Sequence, residues 1–138
     1  MGQNTCKAKP SVYEKFPHWL QWKHEFDALM IVDSDLEALY ECFCEIDEDG
    51  SGEVDLMEMI RYLDLQRSKF NYRIFTLFDE DGSGEIDFRE FVVASWNYCT
   101  MSKTALTKFA FDLYDDDGSG AIDMGEMERC LKEVYGKE

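Results

Sequence analysis

The sequence contains no apolar run near the roughly 18 residues that a membrane-spanning helix requires, and no apolar core of a secretory signal. Basic residues are also scarce, because 14 lysines and arginines face 30 aspartates and glutamates, a formal net charge of −16. This charge repels nucleic acid and anionic membranes, so we expect cations or basic proteins as partners and no nucleic acid. A hydrophobic content of 45% is enough for a folded core.

The few cysteines and histidines show no pattern of a zinc site or a catalytic site. His18 and His24 have no cysteine nearby, and we interpret them as surface residues. No nucleophile stands beside a base, and no glycine loop is left over to bind phosphate, so we predict that the chain is not an enzyme. The cysteines are odd in number, which favours reduced thiols in a cytoplasmic protein: Cys6, Cys42, Cys44, Cys99 and Cys130.

Three segments of twelve residues are nearly the same: DEDGSGEVDLME at 47–58, DEDGSGEIDFRE at 79–90 and DDDGSGAIDMGE at 115–126. We call them loops one, two and three. Their spacing places oxygen ligands around a hard cation, from the side chains at positions 1, 3 and 5 and the backbone carbonyl at position 7. Position 9 acts through a water, and the glutamate at position 12 closes the shell with two oxygens. The glycine at position 6 permits a sharp turn that disfavours a Cβ atom.

The predicted ligands fill all six positions of every loop. A glutamate at position 12 suits the larger Ca²⁺ better than Mg²⁺, so we expect three Ca²⁺ sites. Position 7 contributes only its carbonyl, and its side chain can therefore vary. The predicted ligands are Asp47, Asp49, Ser51, Glu53, Asp55 and Glu58; Asp79, Asp81, Ser83, Glu85, Asp87 and Glu90; and Asp115, Asp117, Ser119, Ala121, Asp123 and Glu126.

These loops resemble those of the EF-hand calcium-binding family, and the resemblance implies a helix on each side of every loop. The loops start 32 and 36 residues apart, which leaves room for those helices. Apolar residues recur at helical spacing before and after each loop. We therefore predict an all-α fold of helix–loop–helix repeats with short β bridges between loops. The loop spacing is most similar to the calcineurin B and neuronal calcium sensor branch, in which a fourth hand follows.

The expected organisation is an N-terminal extension (1–34), an EF-hand pair (35–102) and a third hand (103–138). Val54 and Ile86, at position 8 of loops one and two, are predicted to pair across the bridge. Ile122 has no such partner, because the fourth hand is absent from the sequence. Either the chain is a fragment or hand three pairs elsewhere: with a second copy, with the N-terminal helix or with an external partner.

The N-terminal extension matches no loop. Past Pro17, which can open a helix, an aromatic amphipathic helix is predicted. It either packs on the body of the domain or occupies the groove of the hands as a built-in target. Its apolar face is formed by Trp19, Trp22, Phe26, Leu29 and Met30.

The first residues, MGQNTCKAKP, leave two alternatives open. Gly2 is a candidate for N-myristoylation and Cys6 for a second acylation, which together would attach the protein peripherally to a membrane. The alternative is an ordinary N-terminus. We expect membrane association only if the chain is acylated.

The favoured function is a calcium sensor that regulates a target protein or amphipathic helix through an exposed apolar groove. Methionines in the predicted helices favour it, since they adapt to partners; they are Met57, Met59, Met101, Met124 and Met127. The alternatives are a calcium buffer, or a calcium-responsive regulatory subunit or fragment of a phosphatase-like or other enzyme. A homodimer through hand three is also expected.

Overall fold

The computed structural model describes residues 9–136, which belong to two compact units, one up to Cys42 and one from Phe43 onward. The first unit begins with α1 (Val12–Lys15), a 3₁₀ helix (Pro17–Trp22) and α2 (Lys23–Ala28). It then includes most of α3 (Asp33–Ile46), the helix that enters loop one. Within the described residues, no helix has both the length and the apolar content to cross a membrane.

Aromatic residues form the core of the first unit. Trp19 is buried and stacks on Phe16 with ring centroids 4.1 Å apart. The ring of Tyr40, in α3, meets Trp19 edge-on at 5.0 Å. The Asp33 carboxylate accepts hydrogen bonds from the hydroxyl of Ser11 and from the backbone N–H that follows it, so it fastens the start of α1. The extension therefore packs on the first part of α3, and occupation of a groove by this segment stays a prediction.

The structure differs from the single amphipathic helix that the sequence predicts after Pro17. The 3₁₀ helix gives way to α2, which ends at Ala28. Met30 then adopts a left-handed φ of 57° and is 81% exposed. Its N–H bonds to the carbonyl of Asp27, and the following N–H bonds to that of Phe26, the pattern that closes many helices. Because the helix ends there, Met30 leaves the predicted apolar face.

The second unit continues from the end of α3 through the three loops. Its elements are β1 (Val54–Asp55), α4 (Leu56–Tyr62), α5 (Lys69–Phe78), β2 (Glu85–Ile86), α6 (Phe88–Thr100), α7 (Lys103–Tyr114) and α8 (Met124–Tyr135). We call α3, loop one and α4 hand one; α5, loop two and α6 hand two; and α7, loop three and α8 hand three. Ser68 and Ser102 cap the starts of α5 and α7 with their hydroxyl groups. The predicted all-α fold of EF-hand repeats is confirmed.

Loops one and two pair through a short antiparallel bridge. Val54 lies opposite Ile86, as predicted, and both side chains are fully buried. Phe43 packs between Phe88 and Phe91, with ring centroids 5.5 Å away in each case. The bridge and these rings join hands one and two around one apolar core.

Hand three is less well covered than the first two hands. Within residues 9–136, the sheet consists of β1 and β2, so loop three contributes no strand, and Ile122 is only half-buried. The helix that follows the loop leaves several large apolar side chains exposed: Met124, Met127, Leu131, Val134 and Tyr135. We call these five residues the α8 apolar surface.

Candidate metal centres

Each loop brings together the carboxylates of positions 1, 3 and 12. In every loop one oxygen from each of the three residues lies within 4.8 Å of the other two. The closing glutamates are only 3–4% exposed, whereas the position 3 aspartates are exposed. The groups are Asp47, Asp49 and Glu58; Asp79, Asp81 and Glu90; and Asp115, Asp117 and Glu126. Three acidic clusters with one geometry thus stand at the predicted positions.

Backbone N–H groups hold the buried closing glutamate in place. In loop one, Oε1 of Glu58 accepts hydrogen bonds from the N–H groups of Glu48 and Asp49, at 3.0 and 3.2 Å. Its Oε2 accepts from the N–H of Asp55 at 3.0 Å. Loops two and three repeat these three bonds at 2.9, 3.1 and 3.0 Å and at 2.7, 3.4 and 2.9 Å. The carboxylate is therefore positioned by the turn of the loop itself.

The position 9 aspartates begin the helices that follow the loops. The side chains of Asp55, Asp87 and Asp123 each accept a hydrogen bond from the N–H of the closing glutamate, at 2.8 Å. Together with the return bond from the glutamate, this makes a capping box at the start of α4, α6 and α8. Position 9 thus fixes the helix that carries the closing glutamate, a role that the ligand pattern alone does not reveal.

Positions 5, 6 and 7 bring hydroxyl and carbonyl oxygens to the same place. The hydroxyls of Ser51, Ser83 and Ser119 donate to the position 7 carbonyls at 2.8, 2.8 and 3.0 Å. Each hydroxyl also lies 3.4–3.5 Å from Oδ1 of the first aspartate. The position 6 glycines have φ of 80–90°, which L side chains rarely adopt. This turn lets the position 6 N–H donate to Oδ2 of the first aspartate.

Hydrogen bonds lower the pKa of some carboxyl groups in the loops, whereas burial raises the pKa of another. Hydrogen bonds from the N–H and hydroxyl groups of the position 5 serine lower the pKa of Asp49, Asp81 and Asp117. Burial raises the pKa of Glu90. The position 3 aspartates therefore ionise easily, whereas burial opposes the charge of the closing glutamate in loop two.

The donor set fits calcium. The loops contain no histidine or cysteine, and the atoms that converge are carboxylate, hydroxyl and carbonyl oxygens. Hard oxygen ligands in this number suit Ca²⁺, which takes six to eight of them. When bound, the ion would cross-link the two ends of a loop through positions 1 and 12. The eighteen individual ligand assignments stay predictions.

Sequence reasoning missed the residues at position 2, although each of them is acidic. Their carboxylates pair with arginines, and these pairs link the loops to helices. The signal was available in the repeat itself, because all three loops have an acidic residue at this position. The pairs are Glu48 with Arg61 at 3.1 Å, Glu80 with Arg89 at 2.6 Å, and Asp116 with Arg73 and Arg129 at 3.0 and 3.5 Å.

The cysteines of the described residues, Cys42, Cys44, Cys99 and Cys130, form no disulfide bonds. The two predicted acylation positions, Gly2 and Cys6, lie outside the described residues.

Comparison with protein families identifies all three hands. A family described as an EF-hand domain pair matches residues 72–98, which contain loop two. A family described as EF hand matches residues 39–63 and 108–131, which contain loops one and three. The matched segments together make up more than half of the chain, and neither description is of a catalytic family. No curated protein gives a significant match. The chain is an EF-hand calcium-binding protein.

Proposed function

We propose that the protein is a calcium sensor that binds Ca²⁺ in all three loops and regulates a partner through the α8 apolar surface. The observation that carries the proposal is the exposure of that surface beside a complete loop. Met124 is 76% exposed and Met127 is 45% exposed, one on either side of Glu126. A change in the position of Glu126 on ion binding would therefore move both methionines. A calcium buffer has no need of such a surface.

The exposed side chains make a partner energetically favourable. Burial of a large aliphatic side chain contributes roughly 1.5–3 kcal/mol. Methionine adapts to different partners, because it is flexible and polarizable. Of the predicted groove methionines, Met59 is buried and contributes to the core, whereas Met124 and Met127 are available. The net charge of −16 favours a basic amphipathic helix as the target.

The proposed sensor belongs to a particular branch of the EF-hand family. The starts of the loops, 32 and 36 residues apart, support the calcineurin B and neuronal calcium sensor branch. In this reading the chain has no catalytic activity of its own and acts in the cytoplasm, as a sensor or as the regulatory subunit of an enzyme. Acylation at Gly2 and Cys6 would add peripheral attachment to a membrane.

A dye-binding experiment separates the sensor from the buffer. A fluorescent dye for apolar surface should bind more strongly in Ca²⁺ than in chelator. Glu126→Gln should remove most of the increase, because it disables the loop beside the α8 apolar surface. Glu58→Gln is the matched control in loop one and should retain the Ca²⁺-dependent dye binding that comes from the α8 apolar surface. If Ca²⁺ produces no increase in the unmodified protein, the sensor proposal is wrong and the buffer is favoured.

The alternative to an external partner is a second copy of the chain that covers hand three. Half-buried Ile122 stands at the position where loops one and two form their bridge, so two copies could pair about a twofold axis. Sedimentation of the Ca²⁺-loaded protein at several concentrations tests this. A monomer at high micromolar concentration excludes the dimer, and a dimer that survives Ile122→Asp excludes this interface.

A further inference from the structure

Asp116, at position 2 of loop three, is connected to two different hands. Its backbone N–H donates to Oε1 of the closing glutamate, Glu126, at 2.7 Å. Its carboxylate lies 3.5 Å from Arg129, which belongs to α8 of the same hand. The same carboxylate lies 3.0 Å from Arg73, which belongs to α5, the entering helix of hand two. Asp116 therefore joins the closing ligand of loop three to a helix of hand two.

The other loops show which part of this arrangement repeats. The position 2 carboxylates of loops one and two pair with Arg61 and Arg89, each on the helix that follows its own loop. Arg61 and Arg129 both stand three residues after a closing glutamate, so they are equivalent. Arg73 has no counterpart in hand one or hand three, where Glu41 and Phe109 occupy the aligned positions. The link through Arg73 is thus an addition at loop three.

Arg73 makes a second contact with the segment that enters loop three. Its Nη1 donates to the carbonyl of Leu113 at 2.8 Å. This carbonyl belongs to the last turn of α7, where the helix leaves carbonyls without a partner and where positive charge is favourable. One turn earlier on α5, Phe70 stacks on Tyr114 with ring centroids 5.1 Å apart and an angle of 14° between planes. Residues 70 and 73 lie on one face of α5.

We propose that Arg73 couples loop three to hand two, and that this coupling makes Ca²⁺ bind more tightly to loop three when loop two is filled. α5 ends at Phe78, directly before Asp79, the first ligand of loop two. An ion in loop two that fixes the end of α5 also fixes Arg73, and with it the backbone that positions Glu126. The inference rests on the proposed Ca²⁺ binding, and the linkage must act equally in both directions.

Electrostatic repulsion gives the opposite expectation, which makes the sign of the effect decisive. A positive guanidinium near a cation site weakens cation binding, so its removal by itself would tighten binding to loop three. If Arg73 acts by ordering the loop, its removal weakens binding instead. Arg73 and Asp116 are 33% and 39% exposed, so solvent screens the charge while the hydrogen-bond geometry remains.

The test is a Ca²⁺ titration followed by nuclear magnetic resonance of the full chain. The N–H groups of Gly84 and Gly120 each donate to the first aspartate of their own loop, at 2.9 and 2.8 Å, so each signal reports one site. Arg73→Gln should weaken Ca²⁺ binding to loop three, as reported by the Gly120 signal, by about threefold to tenfold. The matched control, Arg61→Gln, removes an equivalent charge at loop one and should leave the Gly120 titration unchanged.

A double-mutant cycle tests the coupling itself. Glu90→Gln disables loop two, and as a single substitution with Arg73 retained it should weaken the Ca²⁺ binding that the Gly120 signal reports. In the Arg73→Gln background the same change should have a smaller effect, because the link through Arg73 is already broken and only the Phe70–Tyr114 stack remains. Asp116→Asn tests the other partner of the ion pair: the double variant with Arg73→Gln should lose less Ca²⁺ affinity at loop three than the sum of the two single losses, because both changes break the same pair.

The outcomes separate this inference from the proposed function. If Arg73→Gln leaves Ca²⁺ binding to loop three unchanged or makes it tighter, the coupling is wrong and the proposed calcium binding stands. The same conclusion follows if the affinity losses of Arg73→Gln and Asp116→Asn are additive in the double variant. If the Gly120 signal of the unmodified protein does not change when Ca²⁺ is added, both proposals are wrong. A readout without calcium is amide exchange: Arg73→Gln should speed exchange of the Asp116 N–H severalfold, and equal rates would also refute the coupling.

Discussion

Replacement of Ile86 by alanine should cost much more stability than the same replacement of Ile122, although both residues occupy position 8 of a loop. Ile86 is fully buried, and its backbone pairs with Val54. Ile122 is half-buried, and loop three forms no strand among residues 9–136. The two variants remove the same atoms from equivalent positions. Any difference between them therefore measures the surroundings of the two hands.

The expected difference follows from burial. Removal of a fully buried isoleucine side chain to alanine costs about 2–5 kcal/mol, because the lost burial is joined by a cavity. Ile122 is only half-buried, and we expect a loss of about 1 kcal/mol from the smaller apolar area that its truncation removes. A gap of about 2 kcal/mol is a large part of the ~5–15 kcal/mol that stabilises a typical domain.

Urea unfolding at low protein concentration in chelator, followed by circular dichroism, measures both free energies of unfolding. Equal losses at Ile86 and Ile122 would refute the reasoning, since they would mean that Ile122 is as well covered in solution as Ile86. A repeat in Ca²⁺ at rising protein concentration extends the test. If a second copy covers hand three, the loss at Ile122 should grow with concentration while the loss at Ile86 stays constant.

Three further outcomes are expected. Calorimetry should find three Ca²⁺ sites in the protein and two in Glu90→Gln, because an amide cannot supply two charged oxygens; three sites in the variant would contradict the ligand assignment. Asp87→Ala should destabilise the protein by about 1 kcal/mol in urea unfolding without calcium, since it removes the cap of α6; no loss would contradict the capping role. Met30→Gly should stabilise by about 0.5–1 kcal/mol by relieving a left-handed φ, and Asp64→Gly by less, because aspartate tolerates that conformation better; a larger gain at Asp64 would contradict this.

The loops and their pairing could be predicted from sequence because both depend on local chemistry. A cation shell built within twelve residues fixes which side chains converge, and the structure brings Asp79, Asp81 and Glu90 together at the predicted positions. The bridge follows from the same repeat, since position 8 is apolar in each loop and two successive loops can align. Val54 and Ile86 pair in the predicted register.

The N-terminal extension and the link to hand three depend on tertiary contacts, and sequence spacing could not supply them. The apolar positions from Trp19 to Met30 fit one helix, but the chain closes α2 early with its Phe26 carbonyl. Arg73 and Asp116 are 43 residues apart, and no sequence pattern around either residue predicts their contact. Their contact requires α5 and α7 to be placed side by side, which only the packed structure establishes.

Nearly identical ligands do not imply equal sites, because the free energy of ion binding includes the cost of ordering the empty loop. Loops one and two share that cost through the buried bridge of Val54 and Ile86: an ion that orders one strand supplies the partner strand of the other loop. Loop three has no strand among the described residues, and its closing Glu126 is held by a backbone N–H whose own residue is fixed by arginines. The ligand set therefore decides which ion binds, and the contacts outside the twelve residues decide how the three sites affect one another.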